Sequence, residues 1–174
     1  MDKPKVIIPR EEITNKVAEI ATQLKKDYRG KNPLLIGILK GSFVFMSDLI
    51  RAMNIPVEID FVRLSSYGAG KESSGKIKLI KDVETPIKDR HVLVVEDIVD
   101  RGLTVRFLLD YLSFRKPASL KLCTLFDKPS RRKMEVPIDY VGFTIPDAFV
   151  VGYGLDLDEK FRYLPDLCVL EEQK

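Results

Sequence analysis

The stretch from Val92 to Leu109 limits the possible folds of this chain more than any other. It opens with four aliphatic residues, Val92 to Val95. This run is too short for a helix, and its β-branched residues predict a strand buried on both faces. Three carboxylates and a glycine follow, and from Val105 the apolar residues recur at helical spacing. The order of buried strand, acidic turn, glycine loop and helix is typical of the ligand-binding edge of an open α/β sheet.

The acids after this strand indicate what kind of ligand to expect. Glu96, Asp97 and Asp100 precede Gly102, and a glycine loop that opens a helix offers unpaired backbone N–H groups to a phosphate. Carboxylates do not bind phosphate, so the acids predict either acceptors for sugar hydroxyls or ligands of Mg²⁺. The alternative is that Asp100 caps the helix while Glu96 and Asp97 are solvated. Three acids after one buried strand favour a phosphorylated sugar.

Length and composition restrict the class of protein. The 174 residues, 45% hydrophobic and 32% charged, predict one globular domain spanning 1–174. A net charge of +3 is too small to predict nucleic-acid binding and is compatible with a small anionic ligand. Cys123 and Cys168 lie in apolar runs, and His91 is the one histidine, which disfavours a Cys/His metal site. The absence of a signal-like or membrane-length apolar run predicts a cytoplasmic, reduced protein.

Strands and helices are predicted to alternate along the chain. The predicted helices cover 9–30, 43–53 and the stretch from 103; the predicted strands cover 6–8, 34–39, 57–64, 76–81, 92–95, 120–126, 140–145 and 167–170. Alternation of this kind predicts an α/β fold with a mostly parallel, twisted sheet flanked by helices. Segment 76–81 alternates lysine with aliphatic residues, which predicts a half-exposed antiparallel strand.

Three further segments each leave two interpretations open. Lys40 and Gly41 follow strand 34–39, which predicts a second anion site or a solvated lysine. The glycine-rich segment 65–75 is either an active-site lid or a disordered hairpin tip. The basic run at 131–133 is interpreted as a solvated face.

The motifs together resemble a known family. Residues 94–104, Val-Val-Glu-Asp-Ile-Val-Asp-x-Gly-x-Thr, resemble the phosphoribosyl pyrophosphate signature of the type I phosphoribosyltransferases. The order and spacing of Leu39-Lys40-Gly41, Ser66-Tyr67, Lys128, the run 146–156 and Phe161-Arg162 resemble the hypoxanthine-guanine phosphoribosyltransferases over nearly the whole chain. The resemblance implies transfer of a 5-phosphoribosyl group from phosphoribosyl pyrophosphate to N9 of hypoxanthine or guanine, with Mg²⁺. It also implies a small hood of N- and C-terminal segments and a homodimer or homotetramer.

The resemblance also implies which residues hold the activated sugar. The implied contacts to phosphoribosyl pyrophosphate are Lys40, Gly41, Glu96, Asp97, Arg101, Gly102, Leu103, Thr104 and Arg162. Glu96 and Asp97 would accept hydrogen bonds from the ribose hydroxyls, and the 101–104 loop would hold the 5-phosphate. Lys40 and Arg162 would meet the pyrophosphate, and the Leu39–Lys40 peptide bond is often cis in this family.

A second set of residues is implied for the base, the metal and the lid. The implied purine contacts are Lys128, Phe149, Val150 and Asp156, the implied magnesium ligands are Glu96, Asp97 and Asp156, and the implied lid residues are Ser66 and Tyr67. Lys128 would donate to O6 of the base, which favours a 6-oxopurine over adenine. Asp100 would act as general base or hydrogen-bond acceptor at N7. The choice among hypoxanthine, guanine and xanthine stays open.

Arg101 departs from the pattern, because relatives usually carry serine or threonine there. We expect its side chain either to contact the phosphate or to turn outward and leave that role to the backbone. Two alternative functions are an RNA-binding regulator built on the same fold and a nucleotide or sugar-phosphate binding module. An RNA-binding regulator would need a broad basic face, for which only 131–133 and 25–26 are candidates. A binding module without catalysis is disfavoured by the presence of Asp100, Lys128 and Arg162.

Overall fold

The computed structural model describes residues 3–67 and 76–171. The strands are β1 (Lys3–Ile8), β2 (Leu34–Leu39), β3 (Glu58–Tyr67), β4 (Lys76–Lys81), β5 (His91–Val99), β6 (Ser119–Asp127), β7 (Tyr140–Thr144), β8 (Val150–Val151) and β9 (Leu167–Glu171). The helices are α1 (Arg10–Asp27), α2 (Phe43–Met53) and α3 (Leu103–Ser113), with a 3-10 turn at Pro129–Arg131.

The strands form two sheets. Six of them lie in the order β4-β3-β2-β5-β6-β7, and every neighbouring pair is parallel except β3 and β4. The other three, β1, β9 and β8, form an antiparallel sheet from the two ends of the chain. The predicted α/β class, the antiparallel strand at 76–81 and the hood of terminal segments are confirmed.

Helices cover both faces of the large sheet. Leu35 and Leu93 pack with α1 and α2, whereas the next residues along the same strands, Ile36 and Val94, pack with α3. Successive side chains of a strand point to opposite faces, so strands between two helical layers need apolar residues at every position. This explains why residues 34–39 of β2 and 92–95 of β5 are all aliphatic or glycine.

Strand β5 is longer than predicted, and the predicted acidic turn is wrong. Its pairing with β6 continues through Glu96 opposite Thr124 and Ile98 opposite Phe126, because the backbone ladder is indifferent to the charge of the side chains. Glu96 and Asp97 therefore lie within the strand.

Smaller differences concern element ends. The short strand β8 was not predicted, α1 ends at Asp27 before Gly30, and β3 extends to Tyr67. Ser66 and Tyr67 of the predicted lid end β3, and the rest of that segment, 68–75, lies outside the described residues.

The connections between strands determine where a ligand can bind. From β2 the chain continues to β3 on one side, and from β5 it continues to β6 and β7 on the other. Ligands of open α/β sheets bind outside the carboxyl ends of the strands at such a reversal, which here lies between β2 and β5.

Both cysteines, Cys123 and Cys168, are buried free thiols, as predicted. Among the described residues, the longest apolar helical stretches are too short or too polar to cross a membrane.

Candidate active site

Two buried carboxylates stand at the reversal point. Glu96 is 7% and Asp97 6% exposed, so the interpretation that they are solvated is wrong. Glu96 Oε1 accepts a hydrogen bond from the Asp97 N–H at 3.0 Å, and Asp97 Oδ1 accepts one from the Ile98 N–H at 2.7 Å. The local backbone therefore fixes both side chains while satisfying only part of their capacity.

The surroundings of this pair disfavour two negative charges. Burial, followed by the neighbouring Asp97, raises the pKa of Glu96 well above its ordinary value. Burial also raises the pKa of Asp97, and the hydrogen bonds with Glu96 and the Ile98 N–H, followed by the positive charge of Arg162, offset this only in part. Buried carboxylates of this kind are stabilised by a shared proton, a cation or hydroxyl donors. A sugar diol or Mg²⁺ would supply what the fold leaves out.

The loop after β2 lies directly against this pair. A Cβ placed on Gly41 would lie 1.8 Å from Asp97 Oδ2, so only glycine permits this approach. The buried Ser42 hydroxyl donates to Ile38 O at 2.7 Å and closes the turn. The peptide bond between Leu39 and Lys40 is cis, as the resemblance implied. Gly41 is thus brought beside Asp97, and Lys40 precedes it in the same turn.

Cations from two segments lie on the outer side of this loop. Lys40 Nζ lies 3.0 Å from Glu159 Oε1, and Arg162 Nη2 lies 2.9 Å from Asp156 Oδ1. Arg162 Nη1 also donates to Gly154 O at 2.7 Å. The two side chains predicted to meet pyrophosphate are therefore each paired with an acid within the protein.

The glycine loop at the start of α3 has the predicted form. Gly102 is the N-cap residue of α3 at φ 83°, so the N-cap position has no side chain to cap the helix. A Cβ at this position would lie 2.3 Å from Met134 O. Asp100 does not cap the helix, so that alternative is wrong. Leu103 and Thr104 form the first turn of α3, whose N–H groups are available to an anion.

Asp100 and Arg101 precede this turn. Asp100 Oδ1 is buried without a hydrogen-bond partner and lies 3.8 Å from Arg131 Nε, too far for a hydrogen bond. The Arg101 carbonyl accepts the N–H groups of Lys133 and Met134 at 2.9 and 3.0 Å. The Asp100 oxygen thus retains its capacity to accept a proton or a hydrogen bond.

The interpretation of 131–133 as a solvated face is wrong for Arg132. Its mostly buried side chain forms an ion pair with Asp127, and its Nε donates to Asp100 O at 3.1 Å. The guanidinium therefore holds the end of β5 against the end of β6. Arg131 lies 3.8 Å from both Asp100 and Asp147. These inward contacts reduce the basic surface that an RNA-binding function would need.

The residues predicted to contact a purine lie beyond the end of β6. Lys128 is only 3% exposed, its N–H donates to Val99 O at 2.9 Å, and its Nζ donates to Ala148 O at 2.7 Å. An ammonium carries three donors, so Lys128 retains capacity for a ligand oxygen. The ring of Phe149 is half exposed, whereas Val150 is buried in β8.

The three predicted magnesium ligands are not gathered into one protein site. Over 3–67 and 76–171, no group of three or more His, Cys, Asp or Glu side chains could hold a metal ion. Asp156 is engaged by Arg162 and by the Glu159 N–H, 2.9 Å from Asp156 Oδ2. Magnesium usually takes one or two carboxylates and completes its shell with water and substrate oxygens. The buried pair Glu96 and Asp97 fits that requirement.

Unpaired polar atoms point to the same place. In the described part of the chain, the buried side-chain atoms without a hydrogen-bond partner are Tyr28 Oη, Asp100 Oδ1 and Arg162 Nε. Two of these three belong to predicted substrate contacts, and such atoms in a native structure need an explanation, which a ligand provides.

Sequence reasoning missed Arg131, Arg132 and Glu159. The only signal for Glu159 is its spacing of three residues from both Asp156 and Arg162.

Comparison with known proteins agrees with this geometry. A model of the phosphoribosyl transferase domain matches residues 9–158. A hypoxanthine-guanine phosphoribosyltransferase of Streptococcus thermophilus is 47% identical over 172 residues, covering 99% of this chain and 96% of that protein. A crystal structure of a Staphylococcus aureus hypoxanthine phosphoribosyltransferase is 46% identical with a TM-score of 0.92, covering 96% of this chain and 91% of that one.

A structure from Trypanosoma cruzi, from work on the role of the C-terminal region in oligomeric state and activity, is 45% identical. Its TM-score is 0.90, and the match covers 96% of this chain and 91% of that one. The predicted family is therefore confirmed: the chain belongs to the phosphoribosyltransferases, and within them to the hypoxanthine-guanine group.

Proposed function

We propose that this protein is a purine salvage enzyme that transfers the 5-phosphoribosyl group of phosphoribosyl pyrophosphate to N9 of hypoxanthine or guanine. The products are the nucleoside monophosphate and pyrophosphate. The observation that carries the proposal is the meeting, at one edge of the sheet, of a buried carboxylate pair and a free Asp100 oxygen with the glycine loop of α3.

The sugar phosphate is assigned to the β5–α3 connection. Glu96 and Asp97 accept hydrogen bonds from the two ribose hydroxyls, which supplies donors to the capacity that the backbone N–H groups leave unsatisfied. The N–H groups of 102–104 and the Thr104 hydroxyl hold the 5-phosphate at the positive end of the helix dipole. Arg101 adds a charge-assisted contact to the same phosphate.

The base is assigned to the space between Phe149 and Lys128. Lys128 donates to O6, the exposed ring of Phe149 stacks on the purine, and the Val150 backbone meets the edge of the base. Asp100 accepts the proton or hydrogen bond at N7, which increases the electron density at N9 for attack on C1 of the ribose.

The leaving group is assigned to Lys40 and Arg162. Breaking the bond from C1 to pyrophosphate develops positive charge on the sugar and negative charge on the leaving oxygens, which these two cations stabilise. Glu96, Asp97 and, through water, Asp156 would hold magnesium, which supplies further charge neutralisation when bound. Closure of the segment containing Ser66 and Tyr67 would exclude water from the activated sugar.

The proposal includes a setting for the enzyme. Two buried free thiols favour a reducing compartment such as the cytoplasm. We also propose a homodimer or homotetramer, which sedimentation of the purified protein tests.

The activity is tested with four bases. Guanine, hypoxanthine, xanthine and adenine are each incubated with phosphoribosyl pyrophosphate and Mg²⁺, and monophosphate formation is measured. We expect product from the 6-oxopurines, no turnover of adenine, and loss of activity on chelation of magnesium. No product from any 6-oxopurine would refute the proposed function.

A further inference from the structure

Glu159 contacts both cations that are assigned to the pyrophosphate. Its Oε1 lies 3.0 Å from Lys40 Nζ, and its Oε2 lies 3.4 Å from Arg162 Nη2. One carboxylate therefore spans two positive charges that come from segments far apart in the chain. A diphosphate that binds the same two cations competes with these oxygens for their positive charge, while the donors that Glu159 does not engage remain available to it.

The backbone that carries Glu159 is unfavourable for this residue. Leu157 and Lys160 pair across a two-residue turn in which Asp158 and Glu159 have φ of 51° and 63°. Turns with two positive φ angles favour glycine at the second position. A glutamate here carries a conformational cost that glycine would not. Glu159 nevertheless occupies this position, where its carboxylate contacts Lys40 and Arg162.

The carboxylate is free to leave its partners. The Glu159 side chain is 62% and that of Lys40 48% exposed, so both are accessible to an incoming anion. The Glu159 N–H remains held by Asp156 Oδ2 at 2.9 Å, so displacement requires only rotation of the side chain. Hydrogen bonding to Lys40 lowers the pKa of Glu159.

We propose that Glu159 is a positioning residue that competes with the diphosphate group for Lys40 and Arg162. The inference rests on the proposed function, which assigns these cations to pyrophosphate. In the free enzyme the carboxylate keeps the two cations paired. After transfer it recaptures them, which favours departure of the pyrophosphate.

The size of the effect follows from the exposure of the pair. Exposed ion pairs contribute little, because water and salt screen them. We therefore expect removal of the carboxylate to tighten pyrophosphate binding about two- to fivefold at low salt, and less at high salt.

The test compares two variants with a matched control. Glu159→Gln keeps the shape of the side chain and removes its charge, and Glu159→Gly also relieves the left-handed backbone. Glu19→Gln is the control, since Lys16 Nζ and Glu19 Oε2 form a similar pair at 2.7 Å on α1, with Glu19 65% exposed. Calorimetry measures binding of inorganic pyrophosphate with Mg²⁺, and steady-state kinetics gives KM for phosphoribosyl pyrophosphate and for hypoxanthine.

We expect both Glu159 variants to bind pyrophosphate more tightly and to show a lower KM for phosphoribosyl pyrophosphate. KM for hypoxanthine should not change, and the control should match the parent. Glu159→Gly should also keep full thermal stability.

Weaker or unchanged pyrophosphate binding in both variants would overturn the proposal, as would an equal change in the control. A protein that binds pyrophosphate but forms no nucleotide would refute the proposed function alone.

Discussion

The two sides of the candidate site differ in how their charges are balanced. Glu96 and Asp97 are buried inside β5, and burial raises the pKa of both. Lys40 and Arg162 lie at the outer side of the loop after β2, and each is paired with an acid from the chain's own 156–162 segment. One side therefore lacks charge compensation before the ligand arrives, and the other has it.

The difference has a physical cause. A strand in the middle of a sheet cannot rearrange without breaking its ladder, so the buried acids must wait for hydroxyls or a cation. The side chains of Lys40 and Glu159 are exposed and exchange partners at little cost, because water solvates both states. In the proposed function, the fixed half of the site, Glu96 and Asp97, holds the sugar, and the adjustable half, Lys40 and Arg162, holds the leaving group.

The largest effect is expected from Asp100→Ala on the fixed side. If the free Asp100 oxygen is the acceptor at N7, kcat should fall by about 10²–10⁴, with little change in KM for phosphoribosyl pyrophosphate. Asp110→Ala, on the exposed face of α3, is the control and should retain activity. Unchanged kcat in steady-state assays of the Asp100 variant would remove that role.

Gly41→Ala tests the contact between the two sides. The added Cβ would lie 1.8 Å from Asp97 Oδ2, so either the loop or the carboxylate must shift. A displacement of about 1 Å can cost on the order of 10² in rate, and we expect that loss in kcat/KM. Gly30→Ala, in open space at φ 73°, should lower the Tm and leave kcat/KM unchanged. Equal effects of the two substitutions on kcat/KM would contradict the prediction.

Arg101→Ser tests whether the 101–104 loop, like the adjustable half of the site, holds its ligand through a solvated side chain. Loss of a solvated charge-assisted contact should raise KM for phosphoribosyl pyrophosphate about two- to fivefold, with unchanged KM for hypoxanthine. A lower KM in the variant would show that the arginine does not help to bind the phosphate.

The smallest effect is expected on the folding stability of the ligand-free protein, through the buried carboxyl group of Glu96. The folded pKa of Glu96 is raised, so the native state retains a proton that the unfolded chain releases. Stability should therefore fall as pH rises from the ordinary value of 4.5 through the folded pKa. Glu96→Gln should flatten this dependence and raise the Tm at pH 8, by about 2–4 °C per kcal/mol gained. Thermal melts at several pH values measure it, with Glu19→Gln as control. A parent protein whose Tm rises over this pH range would contradict the sign.

Local patterns predicted some elements well and others poorly. The bounds of β2, α2 and β4 match the predicted 34–39, 43–53 and 76–81, because hydrophobic periodicity and flanking glycines are local signals. The continuation of β5 through Glu96 was missed, since a charged side chain within a strand is tolerated only where the fold supplies a use for it. Strand β8 was missed because a strand of two residues is too short to show a hydrophobic period.

The candidate site could be predicted in part. The sequence indicated a sugar, a phosphate and the acids that serve them, and the family resemblance supplied a role for each. It did not indicate that Arg132 is turned inward against Asp127 and the Asp100 carbonyl, because a basic run is usually solvated. Nor did it indicate the pairing of Lys40 with Glu159, which are 119 residues apart.

The sequence by itself determined the α/β class, the glycine loop at the start of α3 and the family, because each depends on short local motifs and on their order along the chain. Only the tertiary structure decided which groups meet. The strand order places the loop after β2 beside Asp97, and the terminal hood carries Glu159 and Arg162 to Lys40. Burial sets the pKa of Glu96, and the approach of segments far apart in the chain sets the pairing of the cations. Neither is determined within a single segment.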